Sequence, residues 1–395
     1  MKNNIKINKL LVLMLIVIST IFFSSCNKKE TLLFLNWGEY INDDVVKSFE
    51  EKYNCNVVID IAESNELFYS KLKSGTTAYD LCAPSDYMIE KMKLKGLIRK
   101  IDFTQLKNYD RNQFLSPVKN LMDDMEKEVE DINSYHVPYF WGTFGIMYNK
   151  QKGNIESLLN KKDGTGGWNA FFNIRSNDPS YKVGMYNVPR FAYAATMLYN
   201  NLDPNSYNDE NLEVFKNTLL NSKFNEWGTD TLKKGIESGN LDLAFVYTGD
   251  CLDMIYLKIE DGVKVEDLSF DIYIPEKTIL HMDSLVIPEN ARHVELAHKF
   301  IDYLLEKENA YLNASVVGYC TPLVSSYKMI VDRVNINSST SESDAFWYEN
   351  GAKAVEKYYQ LEDDGSMNIN GVPLSFFDTE ELTKIGNIVN NVKSK

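Results

Sequence analysis

The sequence predicts an α/β protein with two lobes, a ligand cleft between them and a hinge of crossing strands. Three observations support this prediction. Strand patterns alternate with helix patterns from Leu32 onward, a long aromatic strand at residues 135–149 interrupts the alternation, and a second α/β region follows it. Alternation of this kind is typical of βαβ units on a parallel sheet. A long strand between two such regions can lead the chain from one lobe into the other.

Local patterns predict each element in turn. Short apolar runs predict strands at residues 32–37, 56–61, 80–85 and 282–288. Apolar residues at helical spacing predict helices at residues 43–53, 66–73, 190–202, 295–307 and 379–392, and residues 231–250 read as a helix, a loop and a strand. We expect residues 31–136 with 283–322 to form the first lobe. Residues 137–282 with 323–395, including a C-terminal helical extension, form the second.

The N-terminus has the pattern of a lipoprotein signal peptide. Lysines precede a largely apolar run at residues 10–23, which is followed by Ser24, Ser25 and Cys26. The run is shorter than the roughly 20 residues that span a bilayer. Phe23 stands where a lipobox usually has leucine, and Cys26 is the expected lipidation site. The pattern predicts a protein anchored by lipid in the periplasm or at the outer face of the cytoplasmic membrane.

Composition excludes several classes of function. The net charge of −14 argues against a nucleic-acid partner and is compatible either with a cationic ligand or simply with an acidic, soluble surface. The sequence has no GxSxG, HExxH, P-loop or dinucleotide fingerprint, so we expect neither an enzyme nor a cofactor. It also lacks CxxC or Cys/His clusters, so we expect no metal site.

The remaining cysteines leave two possibilities. Cys55, Cys82, Cys251 and Cys320 are even in number, which permits disulfides in an oxidising compartment. Cys55 and Cys82 lie in or beside apolar strand patterns, where free cysteine often behaves as a small hydrophobe. We therefore favour buried thiols.

Two loops are candidates for ligand binding. NWGEY at residues 36–40 and PSDYM at residues 84–88 each follow a strand of the first lobe. Ligands of open α/β sheets bind beyond the carboxyl ends of the strands, where such loops converge. Both loops combine an aromatic residue with a carboxylate, namely Glu39 in the first and Asp86 in the second.

These loops belong to a set of ordered motifs that resembles the spermidine/putrescine-binding protein family over residues 32–360. The others are VPYFWGTFGIMYN at residues 137–149, MDSLVIP at residues 282–288 and GYCTP at residues 318–322. The resemblance implies a type II periplasmic-binding fold that closes on putrescine or spermidine. It also implies a monomer that delivers this polyamine to the permease of an ABC importer.

Polyamine chemistry explains which residue types such a site needs. Each ammonium group requires carboxylate oxygens, and charge-assisted hydrogen bonds are about twice as strong as neutral ones. The charges and the methylene spacers favour aromatic faces. By resemblance the ligand residues are Trp37, Glu39, Tyr40, Ser85, Tyr87, Asp283 and Tyr319, with Tyr247 and His281 at two positions that hold tryptophan in the family. Asp86 and Asp250 are further candidates, and Tyr247 or Tyr319 could instead be packing residues.

The sequence departs from the family at NVPRF, residues 187–191. Arg190 is retained, but Val188 and Phe191 replace two acids, so Asp250 or Glu349 would have to supply the missing charge. His281 could be protonated, which would repel a cation. The other three histidines, at positions 136, 293 and 298, are expected on the surface or on helices without partners. A different small cation such as thiamine, or a role as a surface adhesin, remains an alternative.

Overall fold

The computed structural model describes residues 29–360, 362, 366–367 and 369–395. The apolar N-terminal run and Cys26, the expected lipidation site, lie outside the described residues. No described helix is both long and apolar enough to cross a bilayer.

Helices make up much of the described chain. In chain order, the α-helices are α1 (Asp43–Tyr53), α2 (Asn65–Ser74), α3 (Asp86–Leu94), α4 (Ser116–Glu128), α5 (Ile155–Leu159), α6 (Gly167–Asn177), α7 (Pro189–Tyr199), α8 (Asp209–Ser222), α9 (Asp230–Glu237), α10 (Thr248–Glu260), α11 (Val294–Leu304), α12 (Lys307–Val317), α13 (Val324–Val331), α14 (Glu342–Tyr358) and α15 (Thr379–Lys393). Short 3₁₀ turns occupy Phe103–Gln105, Arg111–Gln113, Ile132–Ser134 and Val265–Asp267.

The strands fall into two principal sheets. They are β1 (Thr31–Asn36), β2 (Asn56–Ile61), β3 (Leu81–Cys82), β4 (Ile98–Arg99), β5 (Val137–Asn149), β6 (Val183–Tyr186), β7 (Glu226–Gly228), β8 (Leu243–Tyr247), β9 (Phe270–Tyr273), β10 (Thr278–Leu285), β11 (Ile287–Pro288) and β12 (Gly371–Val372). Among the described residues, the smaller sheet is parallel with order β2-β1-β3, and the larger is mixed with order β12-β10-β5-β8-β6-β7 and β9 beside β5. The two sheets are the cores of the two lobes, as the sequence predicts.

The first βα unit shows how local sequence sets these elements. Asn42 caps α1 through its side chain, which accepts the N–H of Asp44. The helix ends at Asn54, which adopts the left-handed conformation that asparagine tolerates better than most residues. Its apolar face buries Val45 and Phe49 against β1 and its neighbours. The bounds of α1 and β2 are those expected from the sequence.

Strand β5 is the long strand that the sequence analysis expected to lead the chain from one lobe into the other, and it lies in the larger sheet. All 13 of its residues are buried. Its first half pairs antiparallel with β10, and its second half pairs with β8 and β9. Strand β10 breaks register between Asp283 and Ser284, where an isolated bridge joins Asp283 to Ser85, which follows β3 of the smaller sheet. The crossing strands therefore bring the ends of both sheets together at Asp283.

Several expected elements differ in extent from the structure; the strand expected at residues 80–85, for example, is limited to Leu81–Cys82. The strand expected at residues 282–288 begins earlier, at Thr278, and divides into β10 and β11 because residues up to Leu285 pair with β5 whereas Ile287 and Pro288 pair with β4. The helix expected at residues 295–307 ends at Leu304, and a second helix begins at Lys307. The C-terminal helix forms at Thr379–Lys393 and contacts α7 and α8. The lobe boundaries given above stay a prediction.

The cysteines agree with the expectation and three histidines do not. All four cysteines outside the leader are free thiols and are buried. The expectation of histidines without partners is wrong. His136 is fully buried with Nδ1 3.1 Å from Ser284 Oγ, His298 accepts the backbone N–H of Asp102, and His293 lies 3.0 Å from a buried aspartate. The partners named here, Ser284, Asp102 and Asp80, are far away in sequence, so no local pattern indicated them.

Candidate functional site

Asp283 lies at the centre of the candidate site, at the bulge of β10. Tyr40 donates a hydrogen bond of 2.6 Å to its Oδ2, and Ser85 donates one of 2.6 Å to its Oδ1. The side chain is only 5% exposed, and this burial raises the pKa of its carboxyl to about 6. Each carboxylate oxygen can accept more than one hydrogen bond. Asp283 can therefore receive a further donor, and a cationic one would offset the cost of its burial.

Asn65, a residue that the sequence analysis missed, organises the second ligand loop. Its Nδ2 donates to Ser85 Oγ and to Tyr87 OH, each at 3.0 Å, and its Oδ1 accepts the backbone N–H of Ser85. Because Ser85 Oγ accepts from Asn65, its own hydrogen is directed to Asp283. Asn65 lies 20 positions before Ser85, so only the fold brings the two together.

A cluster of aromatic rings surrounds the two Asp283 donors. The Tyr40 ring lies 5.1 Å from Tyr319, measured between centroids, and Tyr319 lies 6.2 Å from Tyr247. Tyr247 in turn lies 4.7 Å from the His281 ring and 3.9 Å from Phe144. The candidates from β8, β10 and the GYCTP loop thus meet in one place. These ring pairs are perpendicular or tilted, the arrangements that aromatic rings prefer.

Asp250 is a second buried carboxylate beside this cluster. Tyr319 donates a hydrogen bond of 3.1 Å to its Oδ1, while its Oδ2 is buried without a hydrogen-bond partner among the described residues. Burial raises the pKa of Asp250 to about 6, and Lys233 opposes this shift. Lys233 is itself bound to Asp253 at 2.6 Å. Helix α10 begins at Thr248, so Asp250 is the acid of its first turn.

His281 is neutral, which corrects the expectation that it could carry a repelling charge. Burial lowers the pKa of its imidazole to about 3. Its Nε2 is buried without a hydrogen-bond partner in the described chain, and it faces the crossing strand at Gly142. A Cβ atom on Gly142 would lie 3.0 Å from this Nε2 and 3.1 Å from the hydroxyl of Tyr359. A side chain at position 142 would therefore press on the wall of the site.

We expect Gly142→Ala to weaken ligand binding by about tenfold and to destabilise the fold by about 1–3 kcal/mol, the usual cost of overpacking. The added methyl group crowds His281, so the ring that contacts Tyr247 must shift slightly. Calorimetric titration and thermal unfolding measure the two effects. Gly386→Ala is the matched control, because nothing lies within 4 Å of its added methyl group. Wild-type binding by Gly142→Ala would show that His281 does not shape the site.

The residues of the first ligand loop differ in how deeply they are buried. The Trp37 indole N–H donates to the carbonyl of Ala83 at 2.8 Å, and the half-buried ring packs on Phe68 at 4.8 Å. Glu39 is exposed in the left-handed conformation, with φ of 53°, at the tip of its loop. The structure therefore places Glu39 at the rim and does not bring it to Asp283.

Asp86 is the first residue of α3 and is 2% exposed. Its Oδ1 accepts the N–H of Tyr87 at 2.8 Å, whereas its Oδ2 has no hydrogen-bond partner among the described residues. Burial raises its pKa well above the ordinary value, and Glu90 and Asp283 raise it further. An acid is also favoured at this position by the helix dipole alone. No group of three or more His, Cys, Asp or Glu in the described chain is arranged to hold a metal ion.

Comparison with known proteins identifies the family. A family model described as bacterial extracellular solute-binding protein matches residues 34–311, which is more than half of the chain. The chain belongs to this family. The spermidine/putrescine-binding periplasmic protein of Escherichia coli K12 is 28% identical over 342 residues, which cover 84% of this chain and 90% of that protein.

Solved structures agree with this family assignment. A spermidine/putrescine ABC transporter protein from Listeria monocytogenes superposes with a TM-score of 0.70 at 27% identity, covering 92% of this chain and 99% of that one. The Tp0655 lipoprotein of Treponema pallidum superposes with a TM-score of 0.66 at 22% identity, covering 93% and 100%. The Treponema pallidum structure shows only that the two-lobed fold is shared.

The NVPRF region, where the resemblance to polyamine-binding proteins implied two acids, forms an apolar wall in this solute-binding protein. The Phe191 ring lies 4.9 Å from Phe144, 5.7 Å from Tyr247 and 6.4 Å from Tyr87. Phe191 thus joins the aromatic cluster. Val188 packs partly buried against the same core.

Of the two acids proposed as substitutes, only Asp250 lies in this cluster. Glu349 accepts a hydrogen bond of 2.6 Å from Arg333 and is 41% exposed, and Arg333 also binds Glu356. Its charge is therefore neutralised elsewhere on the molecule. The suggestion that Glu349 supplies the missing charge is not supported by its position. Trp141 is buried in the long strand β5, and its indole N–H donates to the carbonyl of Thr321.

Proposed function

We propose that this chain is the solute-binding component of an ABC importer and that its ligand is the polyamine putrescine or spermidine. One observation is central to the proposal: Asp283 and Asp250 are buried carboxylates, each with a pKa raised to about 6, on either side of Tyr40, Tyr247 and Tyr319. Burying a carboxylate without a cation is costly. A ligand with two ammonium groups removes that cost at both sites.

The aromatic rings complement the two charges. Methylene spacers of a polyamine can pack on the tyrosine rings, and each ammonium gains about 0.5 to 2 kcal/mol from a ring face. Relatives support the same ligand class, because the similar proteins from Escherichia coli include one named for spermidine and putrescine and another named for putrescine. Lobe closure about the crossing strands would complete the site and present the closed form to a permease.

The proposed setting follows from the N-terminus. Lipidation of Cys26 would hold a monomeric solute-binding protein in the periplasm or at the outer face of the cytoplasmic membrane. Metabolic labelling with a palmitate analogue tests this step. Label in the wild-type chain that is absent from Cys26→Ser is the expected result, and equal labelling of both would contradict it.

Binding is expected to weaken as the pH falls below 6. The pKa of about 6 for each carboxyl means that both are largely protonated at pH 5, so each must release a proton before it binds an ammonium. Affinity should therefore fall by up to about tenfold per pH unit for each proton released. In the ligand-free protein the sign is opposite, because a raised pKa makes these carboxyls favour folding as the pH falls from 7 towards 4.

Calorimetric titrations at pH 5, 6, 7 and 8 measure this pH dependence, with Asp250→Asn as the comparison. The variant keeps only one of these two carboxyls with a raised pKa. Its affinity should therefore fall less steeply as the pH decreases. Equal affinity across the whole range would mean that neither carboxyl meets the cation.

A thermal-shift comparison tests the ligand class. Protein that starts after Cys26 and has been stripped of ligand by unfolding and refolding is heated with putrescine, spermidine, spermine or thiamine. At about 100 times Kd, a true ligand stabilises the fold by about 2.7 kcal/mol. The apolar wall at Phe191 favours one competing result, a ligand with a single charged end such as thiamine. A shift with thiamine alone would replace the polyamine proposal, and no shift with any of these cations would favour the surface-adhesin alternative.

A further inference from the structure

The C-terminal segment at residues 371–378, here called the strap, follows the region where the resemblance to the family ends. One side of the strap is attached to the second lobe, called the larger lobe here because it contains the larger sheet. Gly371 and Val372 form β12 beside β10, and Asn205 binds the strap twice, through the carbonyl of Pro373 and the N–H of Ser375, both at 2.9 Å.

Arg190 strengthens this attachment. Its guanidinium donates to the carbonyl of Ser375 at 3.2 Å and to Asn205 Oδ1 at 2.7 Å, and it lies 4.0 Å from the centre of the Phe377 ring. The side chain is 2% exposed. The arginine that stands beside two acids in the polyamine-binding family is therefore engaged here with the strap.

The other side of the strap contacts the first lobe, called the smaller lobe here because it contains the smaller sheet. The N–H of Phe376 donates to Glu90 Oε2 at 3.3 Å, and Lys91 Nζ lies 4.9 Å from the centre of the Phe376 ring. Glu90 and Lys91 belong to α3, the helix that begins at the second ligand loop. Burial raises the pKa of Glu90 to about 7, and the Phe376 N–H and Arg190 oppose that shift.

Consecutive residues of the strap therefore contact opposite lobes: Ser375 binds Arg190 and Phe376 binds Glu90. When the lobes separate, at least one of these sets of contacts must break. We propose that the strap is a latch between the lobes, which stabilises the closed form and slows release of the bound solute. A segment that only packed on the larger lobe would not need the contacts to α3.

Glu90→Ala removes the acceptor of the Phe376 N–H, and Phe376→Ala removes the ring beside Lys91 Nζ; both variants leave Arg190 and Asn205 in place. Small-angle scattering of the ligand-free protein should then give a larger radius of gyration than wild type. Release of putrescine should become about tenfold faster with little change in association. Glu90→Gln retains an oxygen that accepts the Phe376 N–H, so we expect it to behave as wild type. The control is Lys393→Ala, which breaks an exposed contact of α15 to Asn187 within the larger lobe.

Thermal unfolding first establishes that each variant is folded. If both alanine variants are folded and keep the wild-type radius of gyration and release rate, the latch is wrong. The release readout rests on the proposed function, but the scattering readout does not. The wild-type protein could bind no polyamine while Glu90→Ala still gives a larger radius of gyration. That result would contradict the ligand proposal and support the latch.

Discussion

Asp283→Asn is expected to lower polyamine affinity by about 30- to 1,000-fold, which corresponds to the 2 to 4 kcal/mol typical of truncating one partner of a buried charge pair. Asp283 is 5% exposed, and its only described hydrogen bonds come from the neutral hydroxyls of Tyr40 and Ser85. An asparagine keeps the shape and an acceptor for one hydroxyl but cannot neutralise an ammonium. Calorimetric titration with putrescine and spermidine measures the loss.

The free variant should not be less stable than wild type. Burial raises the pKa of Asp283 to about 6, so the ionised carboxylate is disfavoured in the ligand-free fold at neutral pH. Loss of binding with an equal or higher unfolding temperature would distinguish a ligand residue from a structural one. Asp44→Asn, on the exposed first turn of α1, is the control. Unchanged affinity in Asp283→Asn would place the cation elsewhere.

Asp250→Asn should weaken binding of a diamine by about tenfold or more, because it removes the only other carboxylate of the described chain that contacts the tyrosine cluster through Tyr319. Its unpartnered Oδ2 is the oxygen that an ammonium would meet. Glu349→Gln is the matched comparison, since Glu349 is partly exposed and bound to Arg333. That change should alter affinity by no more than about twofold, as is usual for surface ion pairs.

The affinities of both variants are measured by calorimetry on ligand-stripped protein prepared on the same day. The pH is 7.5 or above, where the Asp283 and Asp250 carboxyls of the wild-type protein are ionised. A larger loss for Glu349→Gln than for Asp250→Asn would overturn the assignment of the second cation position. Equal, small effects would indicate a ligand with one charged end held by Asp283 alone. That result would also agree with the apolar wall at Phe191.

Much of the fold could be predicted from local sequence. Helix α1 has a capping asparagine, two acids in its first turn and an asparagine at its end, so its bounds are encoded within its own residues. The apolar run of β5 likewise indicated a buried strand. The motifs that resemble the family also pointed to Asp283, Tyr40 and Ser85, which the structure brings into direct contact.

The parts that sequence could not predict depend on partners distant along the chain. Asn65 orients Ser85 only because α2 packs beside the second ligand loop. His136 is buried by Ser284, which lies 148 positions later. The strap reaches Arg190 from 185 positions away. Each of these contacts is set by tertiary packing, so the residues involved carry no distinguishing pattern of their own.

The exposure of Glu39 has the same origin. In the sequence it is one residue from Tyr40, but the left-handed turn at Glu39 directs the two side chains apart, so Tyr40 is buried and Glu39 is exposed. Adjacent residues of one motif thus occupy different surroundings. Whether Glu39 approaches the ligand depends on the loop that holds it.

The most direct measurement is calorimetric titration of ligand-stripped protein, starting after Cys26, with putrescine and with spermidine at neutral pH. The account predicts one-to-one binding of at least one of them with a Kd of about 1 μM or tighter, equivalent to about 8 kcal/mol. Folded protein that gives no heat with either polyamine, and no competition against a labelled one, would contradict it.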